Sequence, residues 1–180
     1  PASAQNEADK ARLLDEIEKD LTENILPFWM DRTTDPRGGF YGLVGSSGVP
    51  AEEAPKGGVL NARILWTFSK AYGIYGLEEY REAADRARNE LTDKFIDSEY
   101  GGLFWQITSD GSIFDGTKQT YCQAYGIYGL SEHFHATGDT GSLDAAIDLF
   151  RTLEDKAHDK EKGGYTEVFS RDWKNAGRKG

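Results

Sequence analysis

Hydrophobic positions along the chain fall into two helical patterns. Residues 6–29 carry apolar side chains at helical spacing with Lys, Asp and Glu between them, which predicts an amphipathic helix that covers another part of the protein. Residues of about 58–75 and 118–136 are apolar around most of the helix, which predicts two buried helices. Residues 80–95 and 143–157 again carry one apolar face, so each buried helix is followed by a covering helix.

Short β-prone segments separate these helices. Residues 35–48 combine turn residues with a brief strand-like run, and residues 163–173 begin another such run. Residues 103–114 predict a hairpin, because Asp110-Gly111 between two β-prone runs favours a primed turn that matches strand twist. The predicted order is covering helix, hairpin, buried helix, covering helix, hairpin, buried helix, covering helix and strand.

Three glycine pairs mark a repeat in this order. Gly-Gly occurs at residues 38–39, 101–102 and 163–164, each time with an Asp three or four residues before it. The three pairs are therefore almost evenly spaced along the chain. A motif that recurs at a nearly constant interval indicates a structural repeat.

The repeat sets the expected fold class. A unit of one buried helix, one covering helix and one hairpin cannot hide its own apolar face, so copies must stack. Alternating inner and outer helices then close into a double ring. We expect an all-α protein with small β-hairpins, in which residues 1–180 form a single domain of about three units, or about half of a six-unit ring. An open helical array is the alternative.

The charge balance excludes some partners. The 180 residues include 31 acidic and 21 basic side chains, a formal net charge of −10, which argues against nucleic acid or an anionic membrane as the main partner. No apolar run approaches the roughly 20 residues that span a bilayer. Cys122 is the single cysteine, so the sequence allows no internal disulfide, fits a reducing cytoplasm, and leaves Cys122 as a small core residue.

Three segments resemble one protein family. LNARILWTFSKAY (60–72), KQTYCQAYGIYGLSEHFHATGD (118–139) and GGYTEVFSRDW (163–173) are similar to the N-terminal half of the cellobiose 2-epimerases, in the N-acylglucosamine 2-epimerase superfamily. RGGFYG (37–42) and RDW (171–173) favour the disaccharide epimerases over the monosaccharide ones. The resemblance implies an (α/α)6 barrel that uses no cofactor. It also implies β-1,4-linked disaccharide substrates, such as cellobiose and lactose, whose reducing glucose is epimerised at C2 to mannose.

The resemblance assigns two residues to the sugar pocket. Arg63 matches the family's pocket arginine, which holds substrate oxygens and stabilises the enediolate, and Tyr121 matches a pocket tyrosine. Both lie in the first turns of the buried helices, so their Cα–Cβ bonds tilt toward one end of the barrel, where the helix N-termini add positive potential. The structural alternatives are a salt bridge from Arg63 to a buried acid and a core position for Tyr121.

The family's two catalytic histidines belong to the second half of the barrel and have no counterpart in this sequence. Epimerisation needs two titratable groups that flank C2, so we expect the isolated chain to be inactive. Its expected partners are the disaccharide and either the C-terminal half of the barrel or a second copy of the chain. Two other function classes stay open: a non-catalytic sugar-binding or dimerising half-barrel, and an (α/α)6 glycoside hydrolase.

The three histidines have simpler interpretations than catalysis. His133, His135 and His158 do not fall on the family's catalytic positions, and we expect solvated or capping roles for them. His133 and His135 form a His-x-His pattern, but no Cys or carboxylate cluster accompanies it, so the sequence predicts no metal site.

Acid pairs and tryptophans are the remaining candidates for catalytic or sugar-binding residues. Asp110 with Asp115, or Asp97 with Glu99, would be the acid and base of a glycosidase, yet a turn explains Asp110 and the loop before Gly-Gly explains Asp97. The residues able to stack on a sugar face are Trp66, Trp105 and Trp173. Trp105, on a hairpin, is the best of them, whereas Trp66 fits a core between inner and outer rings equally well.

Overall fold

The helices follow the predicted order. A computed structural model describes residues 2–174, and the side chains of residues 6–174. The α-helices are α1 (Ala2–Asp20), α2 (Leu26–Thr33), α3 (Gly58–Tyr75), α4 (Glu78–Glu90), α5 (Thr120–Thr137) and α6 (Thr140–Lys156). Single π-helical turns, Leu21–Ile25 and Leu91–Phe95, join α1 to α2 and extend α4. Helices α3 and α5 occupy the positions of the two helices predicted to be buried, although α5 begins only after Lys118 and Gln119.

Short antiparallel strands lead into α3 and α5. The strands are β1 (Lys56–Gly57), β2 (Gln106–Ile107), β3 (Ile113–Asp115), β4 (Lys118–Gln119) and β5 (Val168–Phe169). They form one sheet in the order β1-β2-β3 and a second of β4 and β5. The strand-like run predicted in residues 35–48 is reduced to isolated bridges, Thr34 with Phe40 and Val44 with Pro50. Because β1 and β4 each end where a helix begins, the strands fix the positions of both helix N-termini.

The core lies between α3 and the helices around it. Helix α3 packs against α4 and α5, and α5 packs against α6. The apolar side chains that carry this packing are almost fully buried, among them Leu65, Phe68, Ala84, Leu91 and Leu130. Cys122 is also buried and free, and burial raises the pKa of its thiol to about 12, so it is the inert core residue that the sequence predicts.

Both core helices end on glycine. Gly76 after α3 and Gly138 after α5 adopt left-handed φ values of 66° and 75°, and each N–H caps the helix by a 2.8 Å hydrogen bond. Such left-handed caps are where glycine costs least. The two caps are as far apart in the sequence as the second and third glycine pairs, as the repeat requires.

The glycine-pair loops share one backbone design. The N–H of Asp97 donates to the Gly102 carbonyl, and the N–H of Asp159 donates to the Gly164 carbonyl, both at 2.9 Å. In the first copy Asp35 makes the matching bond to Gly39 at 3.2 Å. At Gly102 a Cβ would come within 2.5 Å of the Trp173 ring, and its φ of 74° favours glycine as well. The repeat inferred from the sequence therefore has a structural counterpart.

The hairpin turn differs from the prediction. A primed turn needs positive φ at its central residues, but of Asp110 and Gly111 only Gly111 has one, at 90°. The Gly111 N–H donates to the Thr108 carbonyl at 3.0 Å, which places Asp110 inside a turn and Gly111 at its end. The hairpin therefore forms with one more loop residue than a two-residue turn allows, and the predicted primed turn is wrong.

Helix α1 covers nothing in the described part of the chain. Its apolar residues Leu14 and Ile17 are 57% and 56% exposed, contrary to the expectation of a covering helix. The later part of the predicted helix, residues 21–29, does cover the core, since Leu26 is buried and Leu21 and Trp29 pack against it. Within residues 2–174, no helix combines the length and the apolar character that crossing a membrane requires.

Candidate functional site

The N-termini of α3 and α5 are held by the strand regions beside them. The Gly58 N–H donates to the Trp105 carbonyl at 3.0 Å, and the Thr120 N–H donates to the Glu167 carbonyl at 2.9 Å. These bonds satisfy N–H groups that the first turn of a helix leaves free. The Tyr121 N–H also donates to the Glu167 carboxylate at 3.3 Å, so an anionic side chain already uses part of the positive potential at the α5 N-terminus.

A buried lysine secures each of these helix starts. Lys118 is fully buried, and its Nζ lies 3.0 Å from Asp97 Oδ2. Lys56 is equally buried and lies 3.1 Å from Asp35 and 2.9 Å from Glu90. Lys56 and Lys118 are one repeat apart in the sequence, so the same kind of ion pair recurs in both units. Each ties a glycine-pair loop to the strand before an inner helix.

Asp97 is the most strongly held of these carboxylates. Arg171 approaches it with Nε at 2.9 Å and Nη2 at 3.0 Å, in addition to Lys118. Burial by itself would raise the pKa of Asp97, but the hydrogen bonds from Arg171 and Lys118 outweigh it and hold the pKa well below its usual range. Asp97 is therefore an ionised structural group.

Helices α3 and α5 leave one shared face uncovered among the described residues. Residues one repeat apart meet across it: the Trp66 and Tyr128 rings stack with centroids 5.1 Å apart, and Lys70 Nζ donates to Glu132 Oε1 at 3.2 Å. On this face Tyr121 and Tyr128 are 51% and 48% exposed, so these helices are not buried on nearly all sides as predicted. We call the face formed by Arg63, Trp66, Lys70, Tyr121, Tyr125, Tyr128 and Glu132 the inner face.

Arg63 and Tyr121 occupy the N-terminal end of the inner face. The Arg63 side chain is exposed and makes no hydrogen bond or ion pair within the described residues, so the structural salt bridge is absent there. Tyr121 Oη donates to Tyr125 Oη at 3.4 Å, and their rings meet edge to face with centroids 4.8 Å apart. Tyr121, Ala124, Tyr125 and Tyr128 line a depression of about 410 Å³.

The positive charge of Arg63 affects the pKa of Tyr121. The hydrogen bond with Tyr125 raises the pKa of Tyr121, and the positive charge of Arg63 acts in the opposite direction. Tyr121 therefore stays neutral near neutral pH and can donate or accept a hydrogen bond. An exposed cation beside a neutral phenol is suited to holding sugar oxygens and developing negative charge.

The tryptophans separate into three environments. Trp66 stacks on Tyr128 on the inner face, away from the core between inner and outer helices. Trp173 is buried, donates from Nε1 to the Tyr100 carbonyl at 3.0 Å and packs on Phe169, so it is structural. Trp105 is half-buried against the core beside the α3 N-terminus, and its role in stacking on a sugar stays a prediction.

His133 is neither solvated nor capping, contrary to the prediction. It is buried, with Nδ1 at 2.8 Å from Ser142 Oγ and Nε2 at 2.9 Å from Asp85, and it links α5 to α4 and α6. It lies more than three helical turns beyond Tyr121, about 18 Å along the helix. His135 is exposed beside Glu132, and His158 stacks on Tyr165. No group of three or more metal-binding side chains occurs in residues 6–174.

The acid pairs are explained by the structure around them. Asp97 is fixed by its cations, and Glu99 binds Arg171 at 3.0 Å. Asp110 accepts the Ser112 N–H within the hairpin turn, and Asp115 accepts the Thr117 N–H at 2.9 Å. None of these residues lies on the inner face.

Sequence reasoning missed the lysines and two of the aromatic residues. Lys56 and Lys118 hold the site but carry no motif of their own, although their separation equals one repeat and would have revealed them. The pattern assigns Tyr125 and Tyr128 only to a buried helix. The same register would have aligned Tyr128 with Trp66, which precedes it by one repeat.

Comparisons with known proteins agree with this architecture. A family model for N-acylglucosamine 2-epimerase (GlcNAc 2-epimerase) matches residues 38–180. The cellobiose 2-epimerase of Bacteroides fragilis is 46% identical over 162 residues, which is 89% of this chain and 41% of that enzyme. The cellobiose 2-epimerase of Ruminococcus albus is 38% identical over 90% of this chain and 41% of its own length.

A solved structure shows the same fold. The cellobiose 2-epimerase of Spirochaeta thermophila matches with a TM-score of 0.87 and 37% identity, covering 91% of this chain and 40% of that one. The predicted fold class is confirmed, since the chain has the architecture of roughly half of an (α/α)6 barrel. The chain spans about two fifths of the length of these relatives, from their N-terminal part.

Proposed function

Because the chain belongs to the N-acylglucosamine 2-epimerase family, we propose that it is part of a sugar 2-epimerase. The reaction interconverts the reducing-end glucose and mannose of β-1,4-linked disaccharides such as cellobiose and lactose. It proceeds by removal of the C2 proton and its return to the opposite face. The single cysteine, buried and free, fits the proposed location in the cytoplasm.

The observation that carries the proposal is the unpaired Arg63 beside Tyr121. Deprotonation at C2 of the open-chain sugar leaves an enediolate, whose negative charge must be stabilised where it develops. Arg63 has no other anionic partner among the described residues, so its guanidinium is available to the substrate oxygens. Tyr121 and Tyr125 supply hydroxyl groups beside it.

The proton-transfer groups are not on this face. Arginine stays protonated at neutral pH, so Arg63 cannot remove a proton from C2. His133 is the only buried histidine of the described residues, and its two ring nitrogens are used by Ser142 and Asp85. We propose that the bases come from another part of the barrel and that the 180-residue chain alone is inactive.

The partner of the inner face is proposed to be the C-terminal half of the same barrel. The relatives extend well beyond the region that this chain matches. Exposed tyrosines and an unpaired arginine on two neighbouring helices make a face that requires a cover. A second copy of the chain is the rival cover, and it would give a ring that binds sugar without turnover.

Product analysis tests the proposed function. Cellobiose is incubated with the full-length protein that contains this sequence and, in parallel, with the 180-residue chain. We expect the full-length protein to form the glucosyl-mannose epimer and the chain to form no product. Release of free glucose would favour the glycoside hydrolase instead, and epimer formation by the chain alone would contradict its proposed inactivity.

A further inference from the structure

The inner face is divided into layers along the helix axes. Arg63, Tyr121 and Tyr125 form the layer at the helix N-termini, the Trp66–Tyr128 stack lies below it, and the Lys70–Glu132 ion pair lies below the stack. We propose that Trp66 and Tyr128 form the floor of the sugar pocket, where they position the reducing sugar under Arg63. This inference rests on the proposed epimerase function.

The stack is placed as a floor and not as part of the core. Trp66 is absent from the buried cluster between α3, α4 and α5, and Tyr128 is 48% exposed. The two rings are nearly parallel, at 12°, and stack on each other, so they form one aromatic unit that joins α3 to α5 on the inner face. Tyr125 meets Tyr128 edge to face with centroids 6.4 Å apart, so the surface continues up the wall toward Tyr121.

The depth of the floor suits one sugar ring. Trp66 follows Arg63 by three residues, about 4.5 Å along the helix, and Tyr128 follows Tyr121 by seven, about 10 Å. A ring held by Arg63 therefore rests its apolar C–H face on the aromatic surface, a contact that aromatic side chains favour. Water is displaced from the same surface, which strengthens the interaction of Arg63 with an enediolate.

The layer below the floor is charged and internally paired. Lys70 and Glu132 join α3 to α5 directly beneath the stack, and His135 Nδ1 lies 3.6 Å from Glu132. These charged side chains pair with one another, so they do not favour binding of a sugar below the stack. The sugar is therefore expected to lie on the N-terminal side of this ion pair, nearer to Arg63.

Kinetics of the full-length protein test the floor. Trp66→Ala should lower kcat/KM for cellobiose by about 100-fold, with KM raised and kcat lowered, because the sugar is no longer held under Arg63. Trp66→Phe, which keeps a flat ring on Tyr128, should stay within about 5-fold of the original protein, a range set by the modest energy of an aromatic pair. Phe150→Ala removes an exposed aromatic side chain of α6, outside the inner face, so it is the matched control and should leave both constants unchanged.

A second readout needs no turnover. The protein is labelled with 5-fluorotryptophan, and the Trp66 resonance is assigned by its loss in Trp66→Phe. We expect cellobiose to shift this ¹⁹F resonance. Turnover without a shift and without a kinetic effect of Trp66→Ala would refute the proposed floor of the pocket. The proposed epimerase function would then remain supported. A shift without turnover would support the floor and refute the epimerase, and absence of both would refute both.

Discussion

Burial decides what each cation of the site does. Lys118 is fully buried and paired with Asp97, so its charge stabilises the position of β4 and the start of α5. Arg63 is exposed and has no ion pair among the described residues, so its charge is free for a ligand. Two cations at the starts of neighbouring helices therefore have opposite roles, one structural and one proposed to be functional.

Removal of the Arg63 charge should slow the reaction. In the full-length protein, Arg63→Met is expected to lower kcat for cellobiose epimerisation by about 100-fold or more, as loss of a group that stabilises an oxyanion does. Arg151→Met on α6 is the matched control, because Arg151 is exposed and pairs only with Asp148 at 3.7 Å among the described residues. Equal activity of the two variants would remove Arg63 from the mechanism.

Removal of the Asp97 charge should destabilise the fold. Asp97→Asn leaves Lys118 buried without its carboxylate and is expected to cost the chain about 3–5 kcal/mol in urea unfolding at pH 7. Asp159→Asn is the control at the same repeat position. The Asp159 side chain accepts only the backbone N–H groups of Glu161 and Lys162 in the described residues, so about 1 kcal/mol is expected.

The cost of Asp97→Asn should depend on pH. The folded chain holds the pKa of Asp97 below the value of about 3.9 for an unfolded Asp, so the unfolded state binds more protons as the pH falls below that value. The stabilisation is complete above about pH 5 and is lost progressively as the pH falls toward the folded-state pKa. Unfolding at pH 7 and pH 3 should show a smaller difference between the two proteins at pH 3, and an equal difference would refute this account.

Single residues were predictable where the repeat or the family motif marks them. The family motif pointed to Arg63 and Tyr121, and both lie at one end of the inner face, while their role in a sugar pocket stays a prediction. His133 was misjudged because its partners Asp85 and Ser142 come from two other helices, 48 and 9 residues away. No local pattern records such a bridge.

At the scale of elements, the hydrophobic pattern located the helices but not their cover. Helix α3 reads as apolar on nearly every side, yet Trp66 lies outside the core cluster and Arg63 is exposed. Apolarity shows that a surface needs a partner, and it does not show whether that partner belongs to the same segment. The same ambiguity explains α1, whose apolar stripe was correctly located but is exposed.

Substitutions in the exposed apolar stripe of α1 should leave the stability of the isolated chain almost unchanged but lower the stability of the full-length protein. Ile17→Ala is expected to change the unfolding free energy of the isolated chain by less than about 0.5 kcal/mol, because Ile17 is 56% exposed. Leu65→Ala, in a fully buried position, should cost about 2–5 kcal/mol. In the full-length protein Ile17→Ala should also become destabilising by more than about 1 kcal/mol, since the rest of the barrel is proposed to cover α1. An unchanged full-length protein would show that α1 stays uncovered.

At the scale of the whole molecule, the repeat was the most informative signal. The spacing of the glycine pairs predicted stacked units, and the comparison with Spirochaeta thermophila cellobiose 2-epimerase confirmed the barrel architecture. The predicted type of the hairpin turn was wrong, because Asp-Gly is compatible with more than one loop length. The backbone φ values decide between these loops. The groups that complete the pocket are proposed to lie outside this chain, and no pattern within its sequence could then locate them.

We propose that this chain supplies one side of a pocket in which a sugar loses and regains its C2 proton. Proton NMR of cellobiose in D2O with the full-length protein tests it most directly. We expect loss of the C2 proton signal of the reducing glucose together with appearance of a mannose anomeric signal, and we expect Arg63→Met to slow both. An epimer that keeps its original C2 proton, or a C2 signal that never changes, would contradict the proposed proton transfer at C2.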